Sequence, residues 1–200
     1  MKPVKGYAEA QTYTETERLP VGGYILKILD VKIEDNSSKG YNDKLILSFD
    51  IVEGEFKDFF KNNYKQQSGE DKKWKGIFRI VVPSDNDPKE DEWKMRRFKT
   101  IMSDFEESNA GFHFDWDEQK LKGKLIGGIF NNKEYDFNGR HGFYTQCKVL
   151  TAVEKIRTGK FAIPEDDLLK NGANNTPQTR PDADGFMSIP DGIDEELPFN

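Results

Sequence analysis

The sequence predicts a mainly β domain with one substantial helix, followed by a polar C-terminal tail. Two patterns carry that prediction. Five separate stretches carry strand patterns, with apolar residues alternating with polar ones most clearly over about 44–53. Helical spacing is pronounced in a single place, where Phe98, Ile101, Met102 and Phe105 recur at i, i+3, i+4 and i+7.

Residues 1–20 are polar and aperiodic, and are expected to form a loosely attached lead-in. The first strand opens at Gly22-Gly23-Tyr24 and runs through Ile25, Leu26, Ile28, Leu29, Val31 and Ile33, until Asp35-Asn36-Ser37-Ser38-Lys39-Gly40 turns the chain. A second strand, about 44–53, puts Leu45, Leu47, Phe49 and Ile51 on one face. The polar connection over 55–73 carries Phe56, Phe59, Phe60 and Tyr64 and predicts a short helix near 55–62. A third strand, about 74–82, divides into a Trp74, Phe78, Ile80, Val82 face and a Lys75, Ile77, Arg79, Val81 face.

The main helix has its start signals in Asp87 as cap, Pro88 at the first position, and Glu90, Asp91 and Glu92 in the first turn; Asn109-Ala110-Gly111 stops it. Two long strands, about 122–137 and 142–154, then flank Asn138-Gly139, a strong hairpin signal. Pro164-Glu165-Asp166-Asp167-Leu168-Leu169 predicts one helical turn against the domain. From Asn171 to Gly185 the chain is rich in Asn, Thr, Pro, Asp and Gly and has almost nothing to bury, so disorder is expected.

The resulting β-β-β-α-β-β order is that of an OB-fold, a five-stranded and partly open Greek-key barrel. A ferredoxin-like order needs a helix after the first strand, and an immunoglobulin-type sandwich needs about seven strands without a long central helix. The expected division is a lead-in over 1–20, an OB domain over 21–170 and an acidic tail over 171–200.

Net charge is −6, and its distribution matters more than its sum. The last thirty residues hold six of the 36 acids and one of the 30 bases, which leaves the body almost neutral. Cys147 is the sole cysteine, so no internal disulfide or cysteine-rich zinc site exists; its alternating surroundings predict a buried, reduced thiol. The start lacks a signal-peptide apolar run, and no stretch approaches the roughly 20 apolar residues of a membrane span, so a cytoplasmic, membrane-free location is expected.

Candidate functional residues fall in two groups. Segment 61–79 holds Lys61, Lys65, Lys72, Lys73, Lys75 and Arg79 against Glu70 and Asp71, interleaved with Tyr64, Trp74 and Phe78. Cations that track phosphates and rings that stack on bases are what a single strand requires. On an OB-fold, strands 2 and 3 and the loops joining strands 1–2 and 4–5 make the binding face. The 4–5 hairpin repeats the mixture in Tyr135, Phe137, Arg140 and Phe143, beside Lys133, His141 and Tyr144. Lys94, Arg96, Arg97 and Lys99 are read as a solvated helix face.

His113, Asp115 and Asp117 alternate as metal ligands would, but no partner cluster accompanies them, and structural or solvent-facing roles are expected. No phosphate-binding glycine motif, nucleophile elbow or catalytic constellation is present, so neither enzymatic activity nor a cofactor is expected.

The chain ends Asp191-Gly192-Ile193-Asp194-Glu195-Glu196-Leu197-Pro198-Phe199-Asn200. Acids followed by an apolar tip can dock reversibly, with Phe199 in a pocket and the acids of Asp191, Asp194, Glu195 and Glu196 on a basic rim beside Leu197 and Pro198. That ending resembles the acidic tip of bacterial single-stranded DNA-binding proteins, with Leu197 in place of their isoleucine and Asn200 beyond the phenylalanine.

The body is similar to phage- and prophage-encoded single-stranded DNA-binding proteins of Gram-positive bacteria. The likeness lies in Leu19-Pro20-Val21-Gly22-Gly23-Tyr24, Phe49-Asp50-Ile51-Val52-Glu53-Gly54-Glu55, Glu107-Ser108-Asn109, Leu121-Lys122-Gly123-Lys124 and Val153-Glu154-Lys155-Ile156-Arg157. It implies an OB-fold that binds single strands in DNA replication or recombination, with a tail that recruits replication or recombination proteins. The alternative expectation is an OB module that bridges such proteins without touching nucleic acid; a metal-dependent nuclease is a third. Oligomeric state is left open, a homo-oligomer included.

Overall fold

A computed structural model describes residues 18–36, 38, 40–84, 92–137 and 139–169, together with residues 2 and 5. The elements in chain order are β1 (Gly22–Glu34), β2 (Lys44–Ile51), α1 (Phe59–Gln66), β3 (Ile77–Val81), α2 (Glu92–Ser108), a 3-10 turn (Glu118–Leu121), β4 (Leu125–Phe137), β5 (Arg140–Thr151) and α3 (Val153–Arg157). The five strands form one antiparallel sheet in the order β3-β2-β1-β4-β5. Among the described residues no ladder joins β3 to β5, so the sheet is open.

β1 organises the sheet because it serves two neighbours in turn. Its first half pairs with β4, from Gly22 opposite Phe130 to Lys27 opposite Leu125, and its second half pairs with β2, from Leu26 opposite Ile51 to Glu34 opposite Lys44. A register shift between Ile28 and Asp30 marks the handover; an extra residue in one strand bends it and strengthens its twist. β4 pairs with β1 no further than Phe130, so the rest of β4 and its partner β5 project together as a two-stranded arm.

The core includes the faces predicted for β2 and α2. Leu26, Ile28, Val31, Leu45, Leu47, Phe49, Ile51, Phe78, Ile80, Ile126, Phe130 and Leu150 are buried, and the α2 stripe of Phe98, Ile101, Met102 and Phe105 closes over them. Cys147 is partly buried against this core, and burial raises its thiol above the ordinary range. No helix among the described residues is long and apolar enough to cross a membrane.

Several local expectations shift. The short helix forms at Phe59–Gln66 rather than 55–62, because residues 53–58 turn first, with Gly54 and Asp58 in left-handed backbone. β4 starts at Leu125, since Gly123 (φ 83°) still belongs to the preceding turn. The turn expected at 164–169 is not helical: Asp167 lies extended and parallel beside Lys133. Leu19, assigned to the loose lead-in, is in the core at 3% exposure, and its carbonyl accepts from the Thr145 hydroxyl at 2.5 Å. The helix cap at Asp87 and Pro88, the hairpin residue Asn138 and the tail from residue 170 lie outside the described residues.

Candidate functional site

α1 and the loop after it form one built unit. The α1 N-terminus has no local cap, as Asp58 makes no side-chain cap hydrogen bond. Asp50, at the end of β2, replaces it: its buried carboxylate accepts from the N–H groups of Ile51 (2.9 Å), Phe60 (3.0 Å) and Lys61 (3.1 Å). Burial raises the Asp50 carboxyl above its usual range, against the pull of those three donors. Phe60 meanwhile enters the core edge-on to Phe49.

Past α1, the Gln67 side chain clamps the loop as a backbone strand would. Its Nε2 donates to the Lys73 carbonyl and its Oε1 accepts from the Lys73 N–H, both at 2.8 Å. Trp74 is pinned by its indole N–H, which donates to the carbonyls of Phe49 (3.2 Å) and Gly76 (3.1 Å). Gly76 is required there, because a Cβ would stand 2.3 Å from the Phe49 carbonyl oxygen.

The clamp brings the sequence-predicted residues together. The Tyr64 ring lies 5.9 Å from the Trp74 ring, and the Lys72 ammonium sits 5.9 Å over Tyr64. Lys61, Lys65, Lys72, Lys73 and Lys75 are exposed around this pair, and Lys61 approaches Asp58 at 3.8 Å. Lys75 is exposed as a residue, yet burial around its ammonium lowers its pKa. Arg79 is exposed on the outward side of β3, opposite Ile46. Phe78 is a correction: it points the other way, faces Leu47 and is 6% exposed, so it offers no ring to a ligand.

The arm carries the second group, and strand pairing divides it. Residues directly opposite share a face, so Lys133, Tyr135, Phe137, Arg140, Gly142 and Tyr144 are on one side. The Tyr135 ring covers Gly142 and tilts against Tyr144 at 6.3 Å. Phe137 is 40% exposed beside Arg140. Phe143 belongs to the opposite side with Glu134 and His141, which separates it from the other three arm residues predicted with it.

Both groups emerge at the same end of β1. α1 follows Ile51, which pairs with Leu26, and the arm begins where β4 passes Phe130 opposite Gly22. At their roots the two touch, with the Phe60 ring of α1 stacked on Phe130 of β4 at 6.3 Å.

Sequence reasoning missed two exposed rings. Tyr41, in the turn between β1 and β2, is 73% exposed, and its only signal was an aromatic residue among turn formers. Trp116, 66% exposed, stacks on Phe98 at 5.7 Å with its backbone left-handed (φ 69°); the stretch around it drew notice for ligand atoms instead. Those atoms are otherwise engaged: His113 pairs with Glu106 at 2.8 Å, and Asp115 with Lys120. Among the described residues no cluster of three or more His, Cys, Asp or Glu could hold a metal. The tip residues Asp191, Asp194, Glu195, Glu196, Leu197, Pro198 and Phe199 lie outside the described residues.

No protein-family model matches the chain, and no curated protein matches it.

Proposed function

We propose that the chain is a single-stranded DNA-binding protein of OB type, tolerant of sequence, whose acidic tip recruits replication or recombination proteins. One observation carries the binding reading: the α1 unit gathers Tyr64, Trp74 and five lysines at the root of an arm that presents Tyr135, Phe137 and Arg140. Rings for bases and cations for phosphates thereby emerge at one end of the sheet.

The OB reading is supported by the sheet order, by a β1 shared between β2 and β4, and by a helix between β3 and β4. A gap between β3 and β5 is compatible with a partly open barrel.

Titration with oligothymidylate at two salt concentrations tests the binding. Expected are affinity that falls with salt, by a log–log slope of about −0.7 per phosphate neutralised, and fluorescence quenching that persists in Trp116→Phe but is reduced in Trp74→Phe. Tyr64→Ala should weaken binding about 5- to 150-fold, from a stacking contribution of about 1–3 kcal/mol per base. Absence of binding at low salt refutes the proposal.

One observation favours the alternative of a protein-bridging module. Trp116 is an exposed ring, 66% accessible, away from the α1 unit and the arm, and its flanking Asp115 and Asp117 are already paired with Lys120, so it suits an apolar protein contact better than a phosphate chain. Partner capture without any oligonucleotide binding would establish that reading.

A further inference from the structure

Beyond Phe130 the arm loses β1 as its neighbour, and a two-stranded ribbon by itself is marginally stable in water. Residues 165–169 occupy the vacated edge. Asp167 donates its N–H to the Asn132 carbonyl and accepts the Glu134 N–H at its own carbonyl, both at 2.8 Å, as a parallel third strand would.

Side chains fasten this short strand from both flanks. The Asp167 carboxylate accepts from Gln146 Nε2 (2.6 Å) and Lys148 Nζ (2.8 Å), reaching over β4 to β5. The Asp166 carboxylate accepts from the backbone N–H (3.2 Å) and side-chain amide (2.9 Å) of Asn132. The Glu165 carbonyl accepts from Asn131 at 2.7 Å, and the Glu134 carboxylate accepts the Leu169 N–H at 2.8 Å. Apolar anchoring is slight, since Ile163, Leu168 and Leu169 are 49%, 65% and 44% exposed.

We infer that residues 165–169 are a positioning strap that stiffens the arm and presets its Tyr135, Phe137 and Arg140 face for a ligand, with Asp167 as the principal fastening. The strap bonds the arm's backbone at Asn132 and Glu134 and the side chains of Asn131, Asn132, Glu134, Gln146 and Lys148, so it acts on the Tyr135, Phe137 and Arg140 face through the arm's framework. The ligand part of this inference rests on the proposed single-strand binding; the stiffening part does not. Because polar bonds hold the strap, it can open while the core stays folded.

Amide hydrogen exchange on the full chain, with and without oligothymidylate, tests both parts. In Asp167→Ala the amides of 132–137 and 140–146 should exchange about tenfold faster or more, while those of Leu47, Phe49 and Ile126 keep their rates. Asp167→Asn, which retains an acceptor oxygen, should fall between that variant and the wild type. Oligothymidylate affinity should drop severalfold in Asp167→Ala, with the loss absent when Tyr135→Ala and Phe137→Ala already remove the arm's rings.

Unchanged arm exchange in Asp167→Ala overturns the strap. Faster exchange with full affinity confines it to stiffening and overturns its role in ligand placement. A wild-type chain that binds no oligothymidylate sinks the functional reading alone, because the exchange result still decides the strap.

Discussion

Replacing Asp50 with alanine removes one carboxylate that α1 uses in place of a local cap. Phe60 and Lys61 are in the first turn of α1, where N–H groups have no acceptor within the helix. Asp50 accepts from both, at 3.0 and 3.1 Å, and from Ile51 at 2.9 Å, in a site where water has little access. Losing a cap costs about 1 kcal/mol and stranding a buried donor about 1–3 kcal/mol; the two overlap, so about 2–3 kcal/mol is expected. At about 2–4 °C per kcal/mol for a domain of this size, the melting temperature should fall about 5–10 °C.

Asp50→Asn should cost about 1 kcal/mol, since its carbonyl oxygen can still serve Ile51 and Phe60 while its amide meets the Lys61 N–H donor to donor. The pH dependence has a defined sign. A raised folded-state carboxyl contributes stability that is complete below its unfolded pKa and lost as pH rises through the folded value. The deficit of Asp50→Asn against wild type should therefore shrink as pH rises through that window. Calorimetric melts at several pH values compare both variants with the wild type. A melting temperature for Asp50→Ala within about 1 °C of wild type would refute the capping argument.

Other expectations concern separate parts of the molecule. Gly76→Ala should destabilise the chain by a few kcal/mol, about 2–4, because its Cβ would meet the Phe49 carbonyl oxygen at 2.3 Å and the Phe60 ring at 2.9 Å; chemical denaturation measures it. Glu134 is held below its usual range first by His141 and then by the Leu169 N–H, so its tether contributes above the unfolded carboxyl pKa and is lost as pH falls through the lowered value. Arm amides should accordingly lose protection below about pH 4 before the core does, and simultaneous loss would count against a separate tether. Deleting residues 190–200 should abolish partner capture and leave oligonucleotide affinity equal or slightly higher, since an anionic tail competes for a cationic face; a large loss of affinity would contradict that division.

Alternation and helical spacing by themselves determined the β2 face and the α2 stripe, and with them part of the core. Both are local periodicities that report which side of an element is dry, and Leu45, Leu47, Phe49, Ile51 and Phe98, Ile101, Met102, Phe105 are buried as their spacing predicts. The gathering of Tyr64, Trp74 and their lysines was legible too, because eleven consecutive positions from Tyr64 to Trp74 close into one clamped loop.

Tertiary structure alone decided the rest. Alternation already separates Phe78 from Arg79 on β3, but only the packing of β3 on β2, with Phe78 opposite Leu47, shows that the Phe78 face is the buried one and offers no ring to a ligand. Phe143 parts from Tyr135 because hairpin register sets which residues share a side, and β5 starts at Arg140, directly after Gly139, rather than at the expected 142. Asp50 caps a helix ten residues away, and Asp167 fastens an edge that exists only because β1 has left it. Contacts of that kind depend on where the backbone brings distant groups, which no local pattern records.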